Sequence, residues 1–462
     1  MNIANDIKES QAKLSALNIR FLEWVEKNPE ALKRSSFRSL ELNDKLFTLQ
    51  PWPTFISKKT VDIFKEAGEK IFELIKTFPE RVFNNDTQKM GQFFEMPAAV
   101  IEMQLDGMTE EYFKNIIGRG DFIISTDGIK CIEYNVTANL GGLQLPLWES
   151  MCLNSPLISR FIKENNVKVY NRNLVSLLLD HAIWKPLQAA TTGDEINIAV
   201  IAETYEENAE GERSVIYYQN LFQQILKSKN KSLDGNFFLC DFKNMQVVDD
   251  VVFYKNKQIH VVIEMNHGFV HPKLINAFKK RNLIIINGPI TGLLSNKLVL
   301  ALLSDHHQID VFTPEERRII DTYIPWTRKV KPGSTTYREQ KIENLEEFLL
   351  QNRERMVLKP SEGYGGTGVS VGPKCSPQQW QIAVTNALHQ KNWLAQEMVT
   401  ASNGLYMVGE EGYVPHDMVW GFFIFGNSYS GAWVRVMPQE NNKGVVNCHQ
   451  GATVSIIFEV DE

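Results

Sequence analysis

Cysteine is scarce. Five residues (Cys131, Cys152, Cys240, Cys375, Cys448) are spread over 462 positions, odd in number and without a CxxC pair. That pattern fits neither a disulfide framework nor a zinc knuckle, so they read as reduced thiols. No apolar run approaches the roughly 18 residues a membrane span needs; the best candidate, 293–303, is broken by Ser295, Asn296 and Lys297. The opening MNIANDIKESQAKL carries acids and has no apolar core, which excludes a secretory signal or an Arg-rich transit peptide and leads to the expectation of a cytoplasmic protein without a membrane partner. Basic blocks are missing too. Lys+Arg number 49 against Asp+Glu 55, a net charge of −6, so nucleic acid is not an expected partner. No internal repeat or low-complexity tract occurs, and nothing in the sequence specifies an oligomeric state.

What is present is an ordinary globular composition, 43% hydrophobic and 23% charged. At about 150 residues per domain the length suggests three domains or one large multi-lobed unit. Residues 1–95 read as helical: Ile7, Leu14, Leu17, Phe21, Trp24 and Val25 recur at helical spacing, Val61, Phe64, Ile71, Leu74 and Ile75 form a second stripe, and Pro79 closes it. In 96–190 the pattern changes to FII, STDGIK and CIEYN, a strand, a tight turn at Asp127-Gly128 and a returning strand. Residues 191–290 read as a separate α/β module in which continuous apolar runs, such as the one near 283–286, suit strands buried on both faces. The remainder, 291–462, is mixed: a helix near 293–304, a charged helical stretch at 337–352, then strand-rich sequence.

Two constellations carry chemistry. The first is VLKPSEGYGGTGV at 357–369. Gly363, Gly365 and Gly368 formally satisfy GxGxxG, but the following Val-Ser-Val is β-like and does not open the helix a dinucleotide fold requires. Strand, lysine, glycine-rich loop and strand remain. Such a hairpin can lie close over polyphosphate while Lys359 supplies a point charge; a plain surface hairpin is the alternative. No GxxxxGK[ST], HRD or DFG occurs, which excludes P-loop and protein-kinase readings. The second constellation is Arg119-Gly120-Asp121 with Glu133-Tyr134-Asn135. Across the hairpin Asp121 and Glu133 can face each other, and Glu133 and Asn135, two apart, share a face. Two carboxylates and an amide oxygen make a hard-oxygen site suited to Mg²⁺, and Arg119 could grip the same phosphates; an exposed hairpin with alternating polar residues is the alternative.

Taken together these residues resemble the circularly permuted ATP-grasp enzymes, in particular the synthetase domain of glutathionylspermidine synthases. Arg119, Asp121, Glu133 and Asn135 match that family's Arg-x-Asp and Glu-x-Asn elements. Ser295-Asn296-Lys297 matches its Ser-Asn-Lys helix start, Lys359-Pro360 with Gly363, Gly365, Gly366 and Gly368 matches its glycine lid, and Gln396-Glu397 matches an adenine-contacting pair. The resemblance spans about 119–450. It implies a mixed α/β, ATP-grasp-like, circularly permuted fold with an N-terminal helical region and a central α/β module. The 96–190 segment would then form the magnesium-binding half and 291–462 the lid and nucleotide half.

The implied activity is an ATP-dependent carboxylate–amine ligase acting through an acylphosphate on small-molecule or peptide substrates. ATP and Mg²⁺ would be its cofactors, with Asp121, Glu133 and Asn135 on the metal. Arg119, Lys359 and Arg435 would be catalytic, and Lys297, Lys359, the four glycines, Gln396 and Glu397 would bind nucleotide. Asn447 is a secondary candidate. The family's amidase domain is not expected here, and Val136-Thr137-Ala138-Asn139 replaces its usual Ala-Asp-Thr-Pro, so polyamine and glutathione specificity is not carried over. A phosphotransferase and a noncatalytic nucleotide-binding protein are the alternatives. Among lesser candidates, His267, His271 and Glu264 have zinc-like spacing but Gly268 and Pro272 break any helix there. Cys448 and His449, adjacent on a strand, would point apart. Trp420, Phe422, Phe423 and Phe425 read as strand core.

Overall fold

A computed structural model describes residues 5–32, 48–125, 127–189, 191, 194–202, 209–265, 270–338, 340–363, 365–402, 404–408 and 412–462. Its centre is an eight-stranded sheet. In spatial order the main strands are Leu49–Ser57, Thr453–Val460, Ser428–Pro438, Gly412–Phe425, Ile117–Ser125 and Gly128–Asn135, with Gly404–Val408 and Val169–Tyr170 paired at the sides. Only Leu49–Ser57 runs parallel to its neighbour, Thr453–Val460; every other pairing in this sheet is antiparallel.

One face of this sheet is covered by the long helix Lys58–Phe83, whose Val61, Phe64, Ile71, Phe72, Ile75 and Phe78 are buried at helical spacing. Phe64 stacks on Phe422 with ring centroids 4.1 Å apart, and Phe72 stacks on Tyr134 at 5.0 Å. Gly68 allows the close approach: a Cβ there would lie 2.8 Å from Ile424 Cδ1. The aromatic run Trp420, Phe422, Phe423 and Phe425 is strand core, as its sequence implies.

A four-stranded parallel sheet in the order Ile284–Ile286, Val261–Glu264, Ile198–Ile201, Phe237–Cys240 forms the central α/β module, flanked by helices Ala209–Lys229 and Pro272–Lys279. A second four-stranded sheet is wholly antiparallel. Its order is Thr327–Lys329, Trp393–Glu397, Met356–Pro360, Ser370–Val371, and it packs on helices Leu345–Gln351 and Pro377–His389 through Trp326, Leu349, Trp380 and Val384.

Four local expectations fail, the first being the helix near 293–304, which is two helices, Thr291–Leu294 and Leu298–Ser304, separated at Ser295, Asn296 and Lys297. The N-terminal region contains the strand Leu49–Ser57, which Pro51 and Pro53 and the lack of a helical stripe leave for edge pairing. The helix expected to stop at Pro79 runs to Phe83, because a proline removes only its own donor; it ends where Asn84 turns left-handed at φ 50°. The stretch 337–352 is not one helix: it completes the hairpin Thr335–Tyr337 with Gln340–Ile342 before helix Leu345–Gln351 begins. All five cysteines are free thiols. Among the described residues no helix is long and apolar enough to cross a membrane.

One side chain, Asn287, ties the central module to the large sheet. Ile117 N–H donates to Asn287 Oδ1 at 2.7 Å, and Asn287 Nδ2 donates to Ile117 O at 2.8 Å, so the buried amide acts as a strand neighbour at the start of Ile117–Ser125. Replacing Asn287 by Ala leaves two buried backbone groups without partners. The expected loss is about 2–4 kcal/mol, read as a lower urea midpoint at unchanged m-value. A midpoint equal to the parent's would mean that this junction contributes nothing to stability.

Candidate functional site: a charged cleft between two sheets

The face of the large sheet opposite helix Lys58–Phe83 and the second antiparallel sheet enclose a cleft of ≈ 530 Å³. Alternation explains which residues face it. Gly118, Gly120 and Tyr134 pack toward Phe72, so Arg119, Asp121, Glu133 and Asn135 point the other way. The hairpin register places Asp121 opposite Glu133 and Arg119 opposite Asn135, as the sequence spacing implies. The register then shifts between Asp121 and Phe122, leaving Ile132 as an extra residue. This bulge turns both Ile132 and Glu133 to the cleft.

Asp121 is the hub. It is 5% exposed, and Arg119 grips it in a fork, Nε to Oδ1 at 2.8 Å and Nη2 to Oδ2 at 3.1 Å. Arg435 Nη2 lies 2.9 Å from Oδ2, and Asn135 Nδ2 donates to the same oxygen at 3.4 Å. Burial pushes this carboxyl up, but the two guanidiniums outweigh it and hold it below the usual carboxylate range. Trp433 supports both cations, its ring 5.1 Å from Arg119 Cζ and 5.6 Å from Arg435 Cζ. Gly421 makes room for this stack: a Cβ there would lie 2.2 Å from Trp433 Nε1 and 2.8 Å from Arg119 Cδ.

Across the cleft, Lys359 on Met356–Pro360 donates to Gln396 Oε1 at 2.8 Å and to Ile132 O at 3.2 Å, so it bridges the two sheets. Among the described residues it has no carboxylate within ion-pair distance, and burial draws its ammonium down to about 8 despite Glu133 nearby. Lys297 forms a third corner. Its Nζ lies 3.3 Å from Glu133 Oε1 and donates to Gly363 O at 2.6 Å, while its backbone N–H donates to Ser361 O at 2.9 Å. The glycine loop is thus anchored at its base. Gly363, Gly365, Gly366 and Gly368 have φ between 70° and 102°, a region side chains avoid, and a Cβ on Gly366 would lie 2.6 Å from Val445 Cγ1. The loop lies against 444–449 of the large sheet's connection.

Every sequence-chosen site residue lines this cleft except Gly368, which sits against Pro360. Gln396 and Glu397 diverge, as adjacent strand residues must. Gln396 lies inside the sheet between Lys359 and Thr327, whereas Glu397 Oε1 accepts from Tyr337 Oη at 2.8 Å and Arg338 Nη2 at 3.0 Å. Asn447 lines the cleft, with its Oδ1 accepting from His449 N–H at 3.0 Å. Cys448–Gln450 is a 3₁₀ turn, not a strand. His267 lies outside the described residues, Glu264 ends a buried strand, and His271 caps helix Pro272–Lys279. Sequence reasoning missed Trp433 and Asp417. Trp433 stands two before Arg435 and so shares its face. Asp417 is a lone acid in an apolar strand, accepting from Gln439 Nε2 at 3.1 Å and Asn442 Nδ2 at 2.6 Å.

No family model matches the chain. A stretch of 143 residues is 24% identical to an uncharacterized protein of Synechocystis sp., covering 30% of this chain and 26% of that one. Another of 132 residues is 29% identical to "Putative glutamate--cysteine ligase 2-3" of Frankia alni, covering 28% and 14%. A third of 57 residues is 35% identical to "Putative glutamate--cysteine ligase 2-2" of Frankia casuarinae, covering 12% and 7%. The chain therefore spans about a quarter or less of the length of these curated relatives. A solved structure, a glutathione synthetase-like effector from Globodera pallida in its apo form, superposes with a TM-score of 0.53 at 11% identity over 95% of this chain and 97% of that one. The mixed α/β architecture is therefore similar to a glutathione synthetase-like fold.

The Asp121 hub predicts an electrostatic stability effect. Asp121→Asn leaves two nearly buried guanidiniums facing each other, and the expected loss is about 3 kcal/mol in urea unfolding. Adding Arg435→Met should recover part of it, because one orphaned charge is removed; strict additivity of the two changes would contradict the hub.

Proposed function

We propose that this protein is an ATP-dependent carboxylate–amine ligase with a circularly permuted ATP-grasp fold, forming an amide through an acylphosphate. The observation that carries the reading is the gathering of Arg119, Arg435, Lys359 and Lys297 around Asp121, Glu133 and Asn135 beneath a glycine loop. The names of two relatives and of the solved neighbour, ligase and synthetase, point to the same reaction class.

The residues present suit ATP and Mg²⁺. Arg435 is 4% exposed; its Nη2 is held by Asp121 Oδ2 at 2.9 Å, while its buried Nε meets no hydrogen-bond acceptor among the described residues. Buried guanidinium donors of this kind are expected to face an anion. Ile123, Ile132, Val357, Val371 and Val419 line the same cleft and offer apolar walls for a base. Glu133 and Asn135 would offer oxygens to Mg²⁺, joined by Asp121 where phosphate draws a guanidinium off its carboxylate, and Arg119, Arg435, Lys359 and Lys297 would supply charge for phosphates. Bound MgATP supplies the activating phosphoryl group.

The chain's own contribution is positioning and charge. Asp121 and Trp433 fix the two guanidiniums before substrate arrives, so little reorganisation is needed as charge shifts in the reaction. The glycine loop, anchored by Lys297, excludes water from a hydrolysable acylphosphate. The carboxylate and amine are small molecules or peptides that enter beside the phosphate end of the cleft.

Two outcomes are expected. In a screen of pooled carboxylates and amines, ADP release should accompany an amide product identified by mass spectrometry, and Glu133→Gln should lower turnover about 10²-fold. A stable phosphorylated acceptor without amide would mean a phosphotransferase, and ATP binding without turnover a noncatalytic protein.

The second outcome concerns Lys359. A neighbouring phosphate favours its charged form, whereas the free protein loses that proton above a pKa of about 8. Nucleotide binding above that pH must therefore take up a proton, and affinity should fall as pH rises, by up to about tenfold per unit. Calorimetry in buffers of different ionisation enthalpy measures the uptake, and Lys359→Ala should bind weakly with no such dependence. Proton uptake unchanged in Lys359→Ala would assign the linkage to another group.

A further inference from the structure

A second cavity of ≈ 740 Å³ lies beyond the segment 397–400, which it shares as a wall with the cleft. Three side chains at its edge form a group that the function above leaves unused. Helix Leu298–Ser304 ends at Asp305 and turns into the 3₁₀ segment His306–Gln308. Helix Pro314–Tyr323, started by a capping box between Thr313 and Glu316, brings Asp321 beside it. His306 Nε2 lies 2.8 Å from Asp321 Oδ1, and the His306 and His307 rings are 3.9 Å apart. One ligand atom from each of His306, His307 and Asp321 lies within 4.8 Å of the others.

The environment is polarised in a way a plain surface cluster is not. His306 is 1% exposed, and its Nδ1, though buried, has no hydrogen-bond partner among the described residues. It is Nε2 that faces Asp321, so the ligand atom of this ring is Nε2, and the buried Nδ1 carries the ring proton when Nε2 binds an ion. His307 and Asp321 line the cavity, so the group is built from one buried ligand and two accessible ones. The Asp321 carbonyl is held by Lys130 Nζ at 2.9 Å, which ties this helix end to the site hairpin.

We propose that His306, His307 and Asp321 form a binding site for a divalent transition-metal ion of the Zn²⁺ class, with its remaining coordination position open to the second cavity. Two imidazoles and one carboxylate are the donor set that such ions favour, whereas Mg²⁺ favours an all-oxygen shell. In a tetrahedral Zn²⁺ shell with ordinary bond lengths, neighbouring ligand atoms are roughly 3.3 Å apart. The His306–Asp321 pair, at 2.8 Å, would open slightly and the third ligand atom, within 4.8 Å, would adjust; His307 and Asp321, the two exposed side chains, are free to do so. The site is separate from the phosphate cleft and does not depend on the ligase reading.

The test is titration of chelator-treated full-length protein with ZnCl₂, followed by calorimetry and, with Co²⁺ as probe, by visible absorption. The expected result is one ion per chain in the parent, at least tenfold weaker binding in both His307→Gln and Asp321→Asn, and unchanged binding in His389→Gln, a surface histidine outside the group. Circular dichroism of each variant checks that the exposed substitutions leave the fold intact. The Co²⁺ complex should show the intense visible bands of a low-coordinate nitrogen–oxygen site. Absence of saturable binding in the parent, binding that survives either substitution, or Mg²⁺ competing equally with Zn²⁺ would overturn the proposal.

Discussion

The molecule's functional half depends on keeping four cationic side chains in one partly buried cleft. Without compensation Arg119, Arg435, Lys297 and Lys359 would repel one another and resist leaving water. Asp121 neutralises the two arginines at once, Glu133 takes Lys297, and the indole of Trp433 lies against both guanidiniums. Among the described residues Lys359 has hydrogen bonds in place of a carboxylate, and its burial lowers its proton affinity. The lining also carries Glu362, Glu397 and Asp417, so the cations are concentrated around Asp121 and Lys359 rather than in excess over the whole cleft.

The sheet architecture makes that arrangement inexpensive to hold. Arg119, Asp121, Glu133, Trp433 and Arg435 stand on three strands of the large sheet, with Gly412–Phe425 between the strand of Arg119 and that of Trp433, and registers 119↔135, 121↔133, 421↔121 and 421↔433 fix their spacing. The opposite face is packed by Phe64 and Phe72 from the long helix, so the strands carrying the charges are rigid from below. Loops contribute where close approach matters: the glycine segment reaches residues 444–449 because its backbone can turn where side chains would collide. The two cavities meet at 397–400, the stretch that leaves the second sheet and rejoins the first through Ser402 N–H to Ile124 O.

Much of the site was legible because its residues are close in sequence. Arg119, Asp121, Glu133 and Asn135 belong to one hairpin; period-two alternation puts Arg119 with Asp121 and Glu133 with Asn135, and the bulge at Ile132 makes the two pairs share one face. The strand–loop–strand reading of 357–371 likewise follows from its glycines and its β-branched flanks, and Ser370–Val371 does pair with Met356–Pro360. The fold was less legible at Leu49–Ser57 and at 337–342. In the first case two prolines and a helical neighbourhood conceal a strand whose partner lies 400 residues away. In the second, charged residues that suit a helix surface equally suit an exposed hairpin.

The sequence by itself determined the alternation that aims the charges, the glycines that permit the loop, and the absence of apolar runs, because these depend on neighbours within a few residues. Only the tertiary structure decided that Arg435 and Trp433 join Asp121, that Ile132 is an extra residue turning Glu133 inward, and that Gln396 and Glu397 serve different surroundings. It also brought His306 and His307 against Asp321 from another helix. Each of these rests on long-range register, a bulge or inter-element packing. Such features are set by how whole elements bury their apolar faces together, and no local pattern encodes them.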